Sequence, residues 1–226
     1  AHGTSFAAPL VAGAAAVLKA ARPGLSVDQY RSLLSNTASV LPAAPLHWSG
    51  AGFLNLDAAL RTTLAAAPVS LAFSPDLTRT LTLTNLGPAP AAVSVSALPM
   101  GDGPAPSLSA SNLVLEAGGT ATLTATLPAA GLPPGVYQGF LRVQADSNSL
   151  LHIPYWYAAA SPEPRYITLL TSVLQGAPDA AVQIPFRITD GAGLLFPEIQ
   201  PQVTALAGGG QVVSVTALDP LFPGVW

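Results

Sequence analysis

The chain has 226 residues, of which 50% are hydrophobic and only 8% charged, with 20 glycines, 23 prolines and a net charge of −3. This length can supply the cores of one to three domains, and the weak negative charge excludes broad electrostatic attraction to nucleic acid or to an anionic membrane. The sequence contains no cysteine, which excludes disulfides, thiolate metal sites and a cysteine nucleophile.

The N-terminal stretch predicts a loop that leads into an apolar helix. Gly3, Thr4 and Ser5 precede residues 6–21, in which Leu and Val recur at helical spacing and the remaining face is Ala and Gly. A helix that is apolar on nearly every side should be buried inside a larger assembly. We expect no membrane span, because Lys19 interrupts the apolar run before it reaches the roughly 20 residues that are needed to cross a bilayer. We expect no signal peptide, because no basic residues precede the run.

Two shorter helices should follow. "RPG" at residues 22–24 ends the first helix, and Ser26 with Gln29 predicts a capping box at the start of the second. The apolar stripe of this second helix consists of Val27, Tyr30, Leu33 and Leu34. "GAGFLNLDAAL" at residues 50–60 predicts a turn, a short extended piece and a last helix that begins near Asp57.

After residue 65 the hydrophobic pattern changes to a period of two. In "TRTLTLTNLG" the threonines alternate with Leu81 and Leu83, and the segment ends in a turn. Around seven short strands with Gly and Pro turns over about 95 residues are typical of an antiparallel β-sandwich. In "VYQGFLRVQ" one face carries Tyr137, Leu141 and Val143, and the other carries Gln138, Arg142 and Gln144. This alternation predicts a half-buried strand.

A proline-rich hinge, "ASPEPR" at residues 160–165, leads into a second strand-rich block. That block is about 60 residues long, whereas a complete immunoglobulin-type sandwich takes about 100. It should therefore be either small or cut short at Trp226. Asp190 in "RITDGAG" should form a turn, since Asp-Gly favours a hairpin. We expect domains at residues 1–64, 65–160 and 161–226, and we expect the β-domains to fold without the first.

Ser5 has two possible roles. It could cap the first helix, which is the commoner role of a serine in this position, or it could be a nucleophile at the positive end of the helix dipole. A nucleophilic serine needs a base, a residue that orients the base, and donors for the oxyanion. The free N–H groups of a helix N-terminus can supply part of the oxyanion hole, and Gly3 permits close approach of the backbone to a substrate.

None of the histidines is expected to act as a base. His2 lies three positions before Ser5 on the same loop, too close to reach round to it. His47 stands beside Trp48 and should pack or hydrogen-bond locally, and His152 alternates with apolar residues and should face solvent. We expect no metal and no other cofactor, because the histidines are far apart in the sequence and the carboxylates are scattered.

"GTSFAAPLVAGAAAVL" at residues 3–18 closely resembles the serine segment of subtilisin-like proteases, G-T-S-[small or apolar]-A-x-P-x-V-A-G. "RPGLSVDQYRSLLSNTA" and "GAGFLNLDAAL" are similar to the next helix and to the end of that family's catalytic domain. The resemblance implies that Ser5 is the nucleophile, that its backbone N–H is one oxyanion donor, and that Gly3 and Thr4 form the supporting loop. Phe6 and Leu10 replace the Met and His that the family often has, which we interpret as changes in packing.

In this family the triad runs Asp, His, Ser along the chain, and an Asn upstream of the Ser donates to the oxyanion. The resemblance therefore implies that the sequence is an internal fragment, the C-terminal part of a secreted or cell-surface, bacterial, multidomain serine endopeptidase. The parent would cleave protein or peptide substrates through an acyl-enzyme on Ser5. Without its upstream catalytic portion, which would be its partner, the chain alone should be inactive.

The β-rich remainder carries looser resemblances. "PPGVYQGFLRVQADSNSLLHIPYWY" resembles the end of a fibronectin type III-like domain, and "FRITDGAGLLFPEIQPQVTAL" is similar to bacterial immunoglobulin-like modules. The expected fold class is mixed: an α-helical remnant of an α/β subtilase domain, followed by two all-β sandwich modules.

A rival hypothesis is a non-enzymatic extracellular binding or structural protein that keeps a dead protease remnant. In either case we expect the apolar first helix to favour self-association through residues 1–21, packing against the sandwich, or aggregation.

Overall fold

A computed structural model describes residues 3–42, 44–74, 76–128, 130–146, 149–171, 177, 180–219 and 224–226. The chain divides into two compact units, one formed by Ala1–Gly131 with Tyr137–Tyr157 and the other by Leu132–Val136 with Ala158–Trp226. The described residues are mostly β-structure with few helices, and the helices all lie in the first unit. That unit contains both the helical segment (residues 3–61) and the first β-sandwich.

The helices of the helical segment are α1 (Thr4–Ala21), α2 (Val27–Asn36), α3 (Leu46–Ser49) and α4 (Leu56–Arg61). The capping box at the start of α2 is confirmed: the Gln29 N–H donates to Ser26 Oγ, and the Ser26 N–H donates to Gln29 Oε1. The last helix begins next to Asp57 as predicted, and Asn55 Oδ1 caps it by accepting from the Ala58 N–H. Helix α3 was not predicted, because it forms a single turn.

Helix α1 is apolar on nearly every side, but most of it is exposed in this chain. Of its residues only Ala14 and Leu18 are buried, whereas Leu10 is 70% exposed. Among the described residues it is the one helix whose length and composition would suffice to cross a membrane, properties that the core helices of soluble proteins and signal sequences share. Lys19 does not prevent this because it lies in the last turn of the helix.

A small apolar core joins the helices where they meet. Its fully buried members are Leu18 of α1, Leu33 of α2 and Ala59 of α4, and Ala65 completes the cluster. Leu33 confirms the predicted stripe of α2, but Val27 of that stripe is exposed. Val27 is the first residue of α2, and the buried face of the helix begins only at Ser32 and Leu33.

The first sandwich consists of two sheets. Its strands are β1 (Leu64–Ala67), β2 (Leu71–Ala72), β3 (Thr78–Asn85), β4 (Ala91–Met100), β5 (Ser107–Leu108), β6 (Asn112–Leu115), β7 (Thr120–Thr126), β8 (Gly135–Gln144) and β9 (Leu150–Ala159). One sheet has the order β1-β3-β7-β5 and the other the order β2-β9-β8-β4-β6. Strand β3 pairs antiparallel with β1 and β7, β5 with β7, and β4 with β6 and β8, whereas β2 and β9 are parallel.

Both sheets contribute to one hydrophobic core, which confirms the predicted sandwich. Leu81 and Leu83 of β3 are fully buried, as their alternation with threonines predicted. From the other sheet the same core receives Val143 of β8 and Ile153 of β9. A strand whose alternate residues face the partner sheet buries them without burying the polar residues between.

Gly139 of β8 makes room for the largest buried side chain of this core. A Cβ at this position would lie 2.6 Å from Tyr155 Oη and would also clash with the carbonyl oxygen of Leu98. The Tyr155 ring packs edge-on against Phe73, with centroids 6.1 Å apart. Burial raises the pKa of Tyr155 to about 12, because the phenolate would be poorly solvated there.

The second unit contains a two-stranded antiparallel sheet, β10 (Pro164–Leu169) and β11 (Phe186–Asp190). Asp190 ends β11 in a turn, as predicted, and its buried carboxylate accepts from the N–H groups of Ser161, Ala192 and Leu194. The described residues of this unit do not form a second sandwich. Part of the predicted module, residues 172–176, 178–179 and 220–223, lies outside the described residues.

Candidate functional site

Ser5 does not cap helix α1. The N-cap is Gly3, with φ 123°, and no side chain makes a capping hydrogen bond there. This positive φ is readily available only to glycine. The helix begins at Thr4, so Ser5 is its second residue and its exposed hydroxyl is not used by the cap. Of the two roles open for Ser5, the cap is therefore wrong.

The backbone around Ser5 offers hydrogen-bond donors. The N–H groups of Phe6 and Ala7 both donate to the carbonyl oxygen of Gly3, at 3.1 and 3.3 Å. The Thr4 and Ser5 N–H groups precede these bonds and therefore have no partner within the helix. The helix dipole makes this end positive. A carbonyl bound here would meet the Ser5 hydroxyl and the Ser5 N–H, both from the first turn of α1.

The described part of the chain supplies Ser5 with no base. No hydrogen bond joins its hydroxyl to a histidine or a carboxylate among these residues. His47 lies exposed on α3 with its ring 5.5 Å from that of Trp48, and His152 lies on β9 with its ring 6.0 Å from that of Phe140. His2 lies outside the described residues. The same residues contain no group of side chains able to hold a metal ion.

His152 should make the stability of the first unit depend on pH. Burial, and secondarily the charge of Arg142, lower the pKa of His152 from its ordinary 6.5. The unfolded chain then takes up this proton more readily than the folded chain, so the free energy of unfolding falls as the pH drops below 6.5 towards the lowered pKa.

We expect the melting temperature to decrease between about pH 7.5 and pH 5, and to decrease less in His152→Gln. Thermal melts of both proteins across this range measure the difference. Parallel curves for the two proteins would contradict the assignment.

A groove that the sequence did not predict lies in the first unit. It has a volume of about 380 Å³ and is lined mainly by apolar residues, among them Leu46, Val69, Pro154 and Trp156. Its lining comes from α2, from α3 and the residues that follow it, from the β1–β2 region and from β9, so no local sequence pattern could reveal it. None of its lining residues belongs to α1, so the groove is not built on the Ser5 loop.

Comparison with known proteins gives a clear result only for the N-terminal part of the chain. Residues 1–68 match the sequence model of the Subtilase family. A stretch of 60 residues, 26% of the chain, is 47% identical to Subtilisin BL of Lederbergia lenta and covers 22% of that protein. A longer alignment over 205 residues, 84% of the chain, is 26% identical to the Minor extracellular protease Vpr of Bacillus subtilis (strain 168).

The chain spans only about a quarter of these curated relatives, 25% of Vpr and 22% of Subtilisin BL. Among solved structures, a chain of the CsuC–CsuE chaperone–tip adhesion subunit complex of Acinetobacter baumannii is 13% identical, with a TM-score of 0.38. That alignment covers 58% of this chain and 73% of the other. The N-terminal 68 residues, which include Ser5, are thus similar to the Subtilase family of serine proteases.

Proposed function

We propose that the chain is part of an extracellular, multidomain subtilisin-like serine endopeptidase in which Ser5 is the nucleophile. One observation carries the proposal: the segment that matches the Subtilase family places Ser5 in the first turn of α1, exposed and not used as a cap. The similarity of most of the chain to an extracellular protease supports the extracellular location.

In the proposed reaction Ser5 Oγ attacks the carbonyl carbon of the scissile peptide bond. The Ser5 N–H donates to the oxygen as it becomes an oxyanion, and Gly3 and Thr4 hold the start of α1 in place. A histidine base takes the hydroxyl proton and gives it to the leaving amine. This leaves an ester on Ser5, which water then hydrolyses to release the acid and restore the hydroxyl. The mechanism uses no metal and no other cofactor.

The base, the residue that orients it and the second oxyanion donor would come from an upstream catalytic portion of the same protein. The chain alone is then inactive, because a serine hydroxyl near neutral pH needs a base within hydrogen-bond reach. The β-domains would serve as spacers or stabilisers, or would hold protein substrates or cell-surface polymers.

The exposed apolar face of α1, on which Leu10 is 70% exposed, supports a second candidate function. The chain would then be an extracellular binding or structural protein with a dead protease remnant, which associates with itself through the exposed apolar face of α1. The two functions differ in whether Ser5 ever becomes reactive.

A fluorophosphonate probe tests the proposal, because it phosphonylates only an activated serine and loses fluoride. We expect no labelling of the chain alone. We expect labelling at Ser5, located by mass spectrometry, when the coding sequence that precedes Ala1 is included. Ser5→Ala should abolish the label, while the matched change Ser94→Ala on β4 should leave it intact.

Two results would count against this proposal. Labelling of Ser5 in the chain alone would contradict its inactivity. An unlabelled Ser5 in the longer, folded and processed protein would contradict its role as a nucleophile and favour the non-enzymatic function.

A further inference from the structure

Helix α2 carries two polar side chains that are fully buried, Ser32 and Asn36. They lie one turn apart on the same face, and Ser32 Oγ donates to Asn36 Oδ1 at 3.0 Å. A buried polar group is costly unless it finds a hydrogen-bond partner. The other hydrogen bonds of Ser32 and Asn36 therefore identify the part of the protein against which this face of α2 packs.

Each of the remaining partners is a backbone group of the first sandwich or of its connections. Asn36 Nδ2 donates to the carbonyl oxygens of Val69, at 2.8 Å, and His152, at 3.1 Å. The Ala66 N–H donates to Ser32 Oγ at 2.7 Å. Ala66 lies in β1 of one sheet and His152 in β9 of the other, so this pair bonds α2 to both sheets at once.

Asn36 makes three hydrogen bonds in this arrangement. Both hydrogen-bonding ends of its amide are engaged, the nitrogen by two carbonyl oxygens and the oxygen by Ser32. Aspartate has the same shape but no donor, and leucine has the same size but neither donor nor acceptor. Neither could replace it without losing the hydrogen bonds that it donates to the carbonyl groups of Val69 and His152.

Helices α1 and α4 pack with α2. Leu18 of α1 and Ala59 of α4 pack with Leu33 in one buried cluster. From the same segment Arg22 Nη1 donates to the carbonyl oxygen of Thr62 at 2.7 Å, just before β1. Helix α1 therefore packs against the one helix of this segment that carries the buried polar pair.

We propose that Ser32 and Asn36 form a polar clamp that couples the helical segment and the first sandwich into one cooperative folding unit. A substitution in the clamp should then also destabilise sandwich strands that do not contact it. The clamp also predicts that the boundary near residue 65 is not a folding boundary, contrary to our expectation from the sequence. The clamp does not depend on whether Ser5 is a nucleophile.

Hydrogen exchange read by mass spectrometry tests the clamp in the full chain, under conditions in which exchange follows the opening equilibrium. In the unmodified chain, amides of α2 and of the central strand β7 should show equal protection. Asn36→Leu should accelerate exchange in both by the same factor, about tenfold to a hundredfold, because the part-buried carbonyls of Val69 and His152 and the buried Ser32 hydroxyl lose their partner. Ser32→Ala is a milder second variant and should produce the same pattern.

The matched control is Asn112→Leu, which makes the same chemical change at an exposed asparagine of β6. It should leave exchange in α2 and β7 unchanged. Two results would overturn the clamp: acceleration confined to α2 in the Asn36 and Ser32 variants, or α2 amides that already exchange much faster than those of β7 in the unmodified chain.

Discussion

Ser5→Ala is expected to remove the peptidase activity of the longer protein. The variant cannot form the acyl-enzyme, so kcat should fall by about the millionfold that loss of the serine costs subtilisin, a figure borrowed from that enzyme. The KM should change little, because a methyl group in place of the hydroxyl leaves the substrate contacts of the rest of the site intact. Initial rates of hydrolysis of a chromogenic peptide, measured at saturating and at subsaturating substrate concentrations, give kcat and KM.

The control for this change is Ser94→Ala, an exposed serine on β4 whose hydroxyl donates to the carbonyl oxygen of Gln144. It should leave kcat within about twofold of the unmodified protein, since surface substitutions of this kind have small effects. If Ser5→Ala keeps a tenth or more of the activity, another group is the nucleophile. The similarity to subtilases would then reflect common ancestry without a shared catalytic mechanism.

Phe73→Ala is expected to have the largest effect on stability. Phe73 is fully buried in the core of the first sandwich and packs edge-on against Tyr155. Removing its ring loses the transfer free energy of the aromatic group and leaves a cavity, a combination that costs about 3–5 kcal/mol of the free energy of unfolding. Urea denaturation followed by tryptophan fluorescence measures this loss.

Phe6→Ala is the matched control, because it removes the same ring from a phenylalanine that is 56% exposed on α1. The free energy of unfolding should change by no more than about 0.5 kcal/mol. A loss below about 1 kcal/mol for Phe73→Ala, or equal losses for the two variants, would show that Phe73 does not lie in the cooperative core.

Local patterns in the sequence predicted those parts of the fold whose causes are local. The capping box of Ser26 and Gln29 needs only residues three positions apart, and it forms as predicted. The alternation around Leu81 and Leu83 needs only the two faces of one strand. The Asp190 turn likewise follows from the residues beside it.

Features that depend on distant partners could not be predicted. Phe140 was not assigned to either face of β8, and it is nearly as buried as the core residues of that strand. The sequence did not indicate that Asn36 is buried, because one of its hydrogen-bond partners, His152, is 116 positions away in the chain. The apolar groove is likewise assembled from α2, α3 and the residues that follow it, the β1–β2 region and β9.

The sequence by itself determined the identity of the candidate nucleophile and the division into helical and strand-rich parts. A loop motif and a hydrophobic period are properties of neighbouring residues, and they hold wherever the segment packs. The tertiary structure decided that Ser5 does not cap α1, that α1 stays largely exposed in this chain, and that Ser32 and Asn36 of α2 bond both sheets. These outcomes depend on the backbone angle at Gly3 and on contacts between distant segments, which are settled only when the chain has folded.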